Sequence, residues 1–147
     1  MALAIVTLIL SIIGFADSLY FTLIHYGYFG IGSPLVLMVC QAEVGACGTV
    51  ATTPWAQAFG IPNSIFGMAF YVMIFAASVV RLTSRPWPAL PLLAGSSIVA
   101  AAFSIVLAWA LIFRMRALCP LCFTAQVINI VLALTFIYVY RRVCAAR

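Results

Sequence analysis

The amino-acid sequence predicts an all-α membrane protein, a bundle of four transmembrane helices with a long outer loop between the first two. Of its 147 residues, 67% are hydrophobic and only 6% are charged, whereas soluble domains carry about 25% charged residues. Four apolar segments are each long enough to cross a bilayer, which takes about 20 residues. The connection after the first segment is the only long one, and it contains two of the five cysteines.

The four helices are expected at about residues 2–24, 63–81, 90–113 and 119–140, within a single domain that spans residues 1–147. The first segment has no charged leader and exceeds the apolar core of a signal peptide, about 7–15 residues, so we interpret it as a retained membrane helix. Prolines in RLTSRPWPALP separate helices two and three. In the long connection, PLVLMVCQAEV is apolar enough to form a short helix on the bilayer surface.

The arginines predict the orientation of the chain. With four spans, both termini and the connection between helices two and three lie on one side, together with Arg81, Arg85, Arg141, Arg142 and Arg147. The other side carries Arg114 and Arg116. Because cytoplasmic loops are enriched in basic residues, we expect a multi-pass protein of the cell (plasma) membrane with both termini in the cytoplasm. The net charge of +5 then reports orientation, and no nucleic-acid partner is expected.

This topology sorts the cysteines by compartment. Cys40, Cys47, Cys119 and Cys122 fall at the outer face, where disulfides persist, and Cys144 lies alone on the cytoplasmic side. A C-x-x-C at a helix start is typical of a reactive dithiol, because the positive end of the helix dipole stabilises a thiolate. A static disulfide there would close a ring too small to stabilise much.

Cys40 and Cys47 form a looser pair in a glycine-containing loop. We expect this pair to act as a shuttle that exchanges disulfides with an outside protein and then with the helix-four pair, through a mixed disulfide.

Two other classes of function compete with this interpretation. A small metal-binding or metal-transporting membrane protein would use the cysteines as a Cys₄ zinc site, but the C-x₆-C spacing is irregular for zinc, so no metal is expected. A structural membrane subunit with static disulfides would need its cysteines for folding and not for activity.

Electrons taken from thiols need an acceptor. The sequence has no haem, flavin or nicotinamide motif, so a lipid-soluble quinone that enters from the bilayer is the economical choice. Asn63, at the start of helix two, either donates to a quinone carbonyl or caps the helix. Asp17 is an ionisable residue within a membrane helix, which is a functional hypothesis in itself; we assign it a supporting role. The pocket walls are expected to include Phe66, Phe70, Tyr71 and Phe123.

These residues resemble the vitamin K epoxide reductase family in its short prokaryotic form. The resemblance rests on GFADSLYFTLIHY, the loop pair Cys40/Cys47, TTPWAQAFGIPNSIFGMAFY and CPLC, which occur in the family's order over most of the chain. It implies a four-helix bundle around a quinone, in which Cys122 faces the quinone and Cys119 is its redox partner. It further implies that Cys40 receives electrons, that Cys47 passes them to Cys119, that Asn63 binds the quinone, and that Thr53 lies in the loop beside the site.

The resemblance also implies an enzyme, a thiol:quinone oxidoreductase that makes disulfide bonds for exported proteins. The quinone is expected to be either ubiquinone or a menaquinone, which is a quinone of the vitamin K type. Some relatives carry a fused thioredoxin-like domain; here we expect a separate exported thioredoxin-like protein as the partner. Gln126 stands where the animal enzymes have a tyrosine, and we count it among the quinone-binding residues. The alternative within the class is thiol-driven reduction of vitamin K epoxide or quinone.

Overall fold

The computed structural model describes residues 1–28, 50, 53–83, 85–116 and 119–145. The cysteines Cys40 and Cys47 and the expected surface helix lie outside the described residues. The four long helices are α1 (Ala2–His25), α2 (Asn63–Leu82), α3 (Leu90–Trp109) and α4 (Pro120–Ala145).

All four helices are long and apolar enough to cross a membrane, so the predicted four-helix membrane fold is confirmed. The third span continues beyond α3 through wider helical turns at Ala110–Met115. Helix α4 extends past the expected end at Tyr140 to Ala145. The basic pair Arg141 and Arg142 does not stop this helix, because long cationic side chains reach back to the water interface from a helix end.

A small hairpin precedes α2 and was not predicted from the sequence. A short 3₁₀ turn at Pro54–Ala56 leads into β1 (Gln57–Ala58), which pairs antiparallel with β2 (Ile61–Pro62). The turn residues Phe59 and Gly60 have φ angles of 55° and 79°, as a two-residue type I′ turn requires. The hairpin delivers the chain directly to Asn63, the first residue of α2.

Helix α1 packs against α2 and α4, and α3 packs against α4, whereas α2 and α3 make little contact with each other. The α1–α2 contact is close because two glycines allow it: a β-carbon on Gly14 would collide with the ring of Tyr71, and one on Gly67 with Ser18. Hydroxyl groups join the same helices, with Thr7 Oγ1 2.8 Å from Ser78 Oγ. Small and hydroxylated residues are the usual means of helix association in membranes.

The apolar core fills the end of the bundle where α2 ends and α3 begins. Ile74, Leu93, Leu132 and Phe136 are fully buried there. The ring of Trp87 packs edge-on against Phe136, with centroids 5.2 Å apart. This end is therefore closed by side chains, and the opposite end is left to the functional site.

Candidate functional site

The opposite end of the bundle encloses a cavity of about 640 Å³. Its walls come from the end of α1, the start of α2, the second half of the third span, the start of α4 and the hairpin. This arrangement follows from an up-and-down bundle, in which these four helix ends meet on one side. Seven of the residues that the sequence analysis selected line the cavity: Asp17, Asn63, Phe66, Phe70, Tyr71, Cys122 and Gln126.

The cavity exists because α2 and α3 stand apart. Phe66 and Phe70 of α2 line one side, and Val99 and Phe103 of α3 line another. Val99 and Phe103 are 69% and 45% exposed while they also line the cavity. The cavity therefore opens sideways, toward the surface that faces the lipid.

Cys119 and Cys122 differ in position although they are close in sequence. The carbonyl of Cys119 accepts the N–H of Phe123 at 3.1 Å, so Cys119 is the residue that precedes the first turn of α4. The backbone N–H of Cys122 lies 3.4 Å from Cys119 Sγ and donates to it. Neither cysteine is in a disulfide. Cys119 is fully buried, whereas Cys122 belongs to the cavity wall.

The environment of Cys119 favours its thiolate. A hydrogen bond from the Cys122 thiol lowers the pKa of Cys119 below its ordinary value, and backbone N–H groups of Leu121 and Cys122 act in the same direction. Burial and the charge of Asp17 raise the pKa, but the donors outweigh them. This is the helix-start stabilisation of a thiolate that the sequence indicates.

Phe123 does not line the cavity, so its expected place in the pocket wall is wrong. The lining residues of α4 are Cys122, Ala125, Gln126 and Asn129, spaced three and four residues apart as on one helix face. Phe123 is turned by about 100° from Cys122 around the helix and falls on another face.

Thr53 lies beside the cavity and not in its wall. Its hydroxyl donates to the carbonyl of Val50 at 2.8 Å and contacts Met115 Sδ at 3.6 Å, and both of these residues line the cavity. Thr53 therefore holds the segment before the hairpin against the end of the third span.

Asn63 does not act as a helix cap, because Pro62 occupies the cap position and no side chain caps α2. Instead Asn63 Nδ2 donates to the carbonyl of Trp55 at 2.8 Å, which ties the hairpin to α2. Its Oδ1 is buried and accepts no hydrogen bond from the described residues.

Asn129 is a residue of the cavity wall that was not predicted from the sequence. Tyr71 Oη donates to Asn129 Oδ1 at 2.8 Å, and Asn129 Nδ2 donates to Ser104 Oγ at 2.8 Å. This chain joins α2, α4 and α3 across the inner end of the cavity. The sequence could have indicated Asn129, because its amide side chain follows Cys122 by seven residues and so lies on the same face of an apolar helix.

Three buried oxygens in residues of the cavity wall lack a hydrogen-bond partner among the described residues: Asp17 Oδ1, Asn63 Oδ1 and Gln126 Oε1. An unsatisfied buried polar atom costs about 1–3 kcal/mol. These atoms are acceptors, so a hydrogen-bond donor in the cavity, such as a water or the O–H group of a ligand, would satisfy them. The described residues contain no group of three or more potential metal ligands.

Comparison with known proteins agrees with this geometry. The family model described as the vitamin K epoxide reductase family matches residues 5–137. The chain belongs to the vitamin K epoxide reductase family. It is 32% identical over 102 residues to vitamin K epoxide reductase complex subunit 1 of Mus musculus, a match that covers 60% of this chain and 61% of the mouse protein. The expected family is thus confirmed, and the match spans less than two thirds of the mouse protein's length.

Proposed function

We propose that this protein is a membrane thiol:quinone oxidoreductase that oxidises an exported thioredoxin-like protein and passes the electrons to a membrane quinone. The observation that carries the proposal is the position of Cys122. It lies in the wall of a lipid-facing cavity and is hydrogen-bonded to Cys119, the other cysteine of the C-x-x-C pair. A dithiol that touches an apolar cavity is placed to reduce a lipid-soluble acceptor.

The cavity suits a quinone in size and in character. Ligand sites typically measure about 300–1,000 Å³ and combine apolar walls with few polar groups, and this one has about 640 Å³. A quinone ring fits among Phe66, Phe70 and Tyr71, with its apolar tail leaving between α2 and α3. Gln126 and the second N–H of Asn63 supply donors for the ring carbonyls.

The chemistry balances within this site. The two thiols lose two electrons and two protons and form the Cys119–Cys122 disulfide, while the quinone gains both electrons and both protons and leaves as hydroquinone. Cys122 reacts with the quinone because it lines the cavity. Cys119, whose thiolate is stabilised at the helix start, then attacks Cys122 to close the disulfide.

The upstream steps rest on the sequence. Cys40 and Cys47 return the helix-four pair to the dithiol state, Cys47 exchanging with Cys119 and Cys40 with the exported thioredoxin-like protein. The arginine distribution supports a plasma-membrane location with both termini in the cytoplasm and the cysteine pairs outside.

A coupled assay tests the proposal. Purified protein is mixed anaerobically with a reduced thioredoxin-like protein and ubiquinone or menaquinone, and quinone absorbance is followed. Cys122→Ala and Cys40→Ala are expected to abolish quinone reduction. Cys144→Ser is expected to retain it, because Cys144 is an exposed thiol near the C-terminus. Absence of reduction with either quinone, together with tight zinc binding by the reduced protein, would refute the proposal in favour of a metal site.

Reduction of vitamin K epoxide is the second candidate, favoured by the similarity to the mouse protein of that name. The same assay with the epoxide as acceptor and a dithiol as reductant separates the two. Epoxide turnover that depends on Cys122 would add this activity, and quinone turnover alone would exclude it.

A further inference from the structure

Asp17 is an unusual residue for its place. The chain contains two acidic residues, and Asp17 is the only one in the part that the structure describes. It is 8% exposed and lies two turns before the end of α1. A lone carboxyl group within a membrane helix is costly, so its presence demands a reason.

Among the described residues, no basic side chain forms an ion pair with this carboxyl. Asp17 Oδ1 is buried without a hydrogen-bond partner among the described residues, and the described arginines lie in the short connections and near the helix ends. Packing alone does not explain the residue, because an apolar side chain would fill the same space without the desolvation cost.

The neighbours of Asp17 are the redox groups. Asp17 and Cys122 line the same cavity, and Asp17 is close enough to Cys119 for its charge to act on that thiol. On its own helix, Phe21 and His25 follow at intervals of four residues and also line the cavity, so Asp17 and His25 share one face of α1. This face leads from the thiols toward the end of the helix.

Reduction of a quinone by a dithiol must move protons as well as electrons. Besides Asp17, the titratable groups of the cavity wall are His25 from α1, Tyr71 from α2 and Cys122 from α4. The third span and the hairpin contribute none. The buried Cys119 accepts a hydrogen bond from the backbone of Cys122. The hydroxyl of Tyr71 is engaged with Asn129 at 2.8 Å, and His25 lies about 12 Å further along α1.

We infer that Asp17 is a proton carrier of this site: it accepts a proton released by the thiol pair and donates it to an oxygen of the quinone. The inference rests on the proposed function. Each turnover leaves Asp17 as it began, because the proton it takes from a thiol is the one that hydroquinone formation consumes. The carboxyl thus keeps the second substrate of the redox step, the proton, inside a largely apolar cavity.

Single-turnover kinetics test this role. Anaerobically reduced protein is mixed with a soluble short-chain ubiquinone across a pH series, and hydroquinone formation is followed for wild type, Asp17→Asn and Asp17→Glu. We expect Asp17→Asn to slow the step by about 100-fold, as loss of a general acid–base group does, with little change in the quinone concentration that gives half the maximal rate. Asp17→Glu is expected to restore part of the rate.

Controls separate proton transfer from structure. Ser11→Ala alters another buried polar residue of α1 that is outside the cavity wall and is expected to react like wild type. Time-resolved infrared difference spectra, recorded during quinone reduction, should contain a transient carboxyl band in wild type that shifts in Asp17→Glu and is absent in Asp17→Asn. If Asp17→Asn does not fold, the shift of this band between wild type and Asp17→Glu still shows whether the carboxyl at position 17 exchanges a proton.

The outcomes are distinct. Wild-type rate and pH profile in Asp17→Asn would overturn the inference and leave the proposed function intact. A slow Asp17→Asn with an unchanged pH profile and no carboxyl band in wild type would make Asp17 structural and also overturn it. Failure of wild type itself to reduce any quinone would refute the proposed function, and the inference with it.

Discussion

At the scale of single residues, the two sulfur atoms of the C-x-x-C segment have different tasks because they occupy different environments. Cys119 is buried ahead of α4 and receives hydrogen bonds, whereas Cys122 reaches the cavity. Cys119 is thus placed to form a thiolate, and Cys122 is placed to contact a ligand in the cavity, which in the proposed function is the quinone.

The first prediction concerns the ionisation of Cys119. In a variant that retains only Cys119 and Cys122, the thiolate absorbance contributed by Cys119 should rise with pH around a midpoint below about 8.5, the ordinary cysteine value. A lowered pKa means that the thiolate is already present at a lower pH. In Cys122→Ala the midpoint should move upward, because the main hydrogen bond that lowers the pKa is gone. An identical midpoint in both proteins would contradict this.

The second prediction concerns Tyr71. Tyr71→Phe removes the hydroxyl that donates to Asn129 and should lower the free energy of unfolding by about 1–3 kcal/mol, because a buried acceptor loses its donor. Thermal unfolding in detergent measures this change. Tyr138→Phe is the matched control, because Tyr138 is half exposed and its ring stays under Arg142. Equal stability of the two variants would count against the Tyr71–Asn129 bond.

Sequence reasoning found the residues that are chemically unusual in an apolar chain: the cysteines, Asp17, Asn63 and Gln126. It missed the Tyr71–Asn129–Ser104 chain, because these bonds depend on the register of three helices that are far apart in sequence. It misplaced Phe123 because it assigned aromatic residues to the pocket by depth in the membrane and not by helix face.

At the scale of the elements, glycines determine how closely α1 approaches α2. The ring of Tyr71 lies directly against Gly14, so the position of this cavity residue depends on the absence of a side chain on the neighbouring helix. The third prediction is that Gly14→Ala destabilises the protein by about 1–3 kcal/mol, the usual cost of overpacking, and impairs quinone reduction by displacing Tyr71.

Gly95→Ala is the matched control for this prediction. It is also a helical glycine, but a β-carbon there meets nothing within 4 Å. Alanine is favoured over glycine in a helix by about 1 kcal/mol, so Gly95→Ala should be neutral or slightly stabilising. Thermal unfolding that ranks Gly14→Ala at or above Gly95→Ala would contradict the close-packing account.

The lengths of the apolar segments predicted the bounds of the four helices to within a few residues, because the thickness of the bilayer determines how long a spanning helix must be. The hairpin before α2 escaped prediction because its turn is Phe59–Gly60, and a phenylalanine with a positive φ is not the Asn-Gly or Asp-Gly pair that usually marks such a turn. Nor does the sequence reveal that α2 and α3 stand apart, although this separation creates the cavity.

At the scale of the whole molecule, the bundle is closed by a core at one end and hollow at the other. The apolar tail of a quinone can remain in the bilayer while the ring reaches Cys122, so the protein need not extract its acceptor from the membrane. In the proposed orientation, the thiols at the start of α4 lie near the compartment where disulfides form.

The fourth prediction is topological. In a protein whose sole cysteine is Cys144, an impermeant maleimide added to intact bacterial spheroplasts should label it only after lysis, because the arginine-rich side is expected in the cytoplasm. Arg116→Cys in a cysteine-free background is the counterpart, since Arg116 is exposed at the other end of the bundle. Its labelling should occur in intact spheroplasts. The reverse pattern would invert the proposed orientation.

The central claim is that the helix-four dithiol delivers its electrons to a quinone in this cavity. The most direct measurement is a stoichiometric half-reaction, in which fully reduced protein lacking Cys40, Cys47 and Cys144 is mixed anaerobically with ubiquinone, and hydroquinone and disulfide are quantified together. The account predicts one hydroquinone and one Cys119–Cys122 disulfide, identified by mass spectrometry, for each protein molecule. Hydroquinone without that disulfide, or no hydroquinone from a folded protein with either ubiquinone or menaquinone, would contradict it.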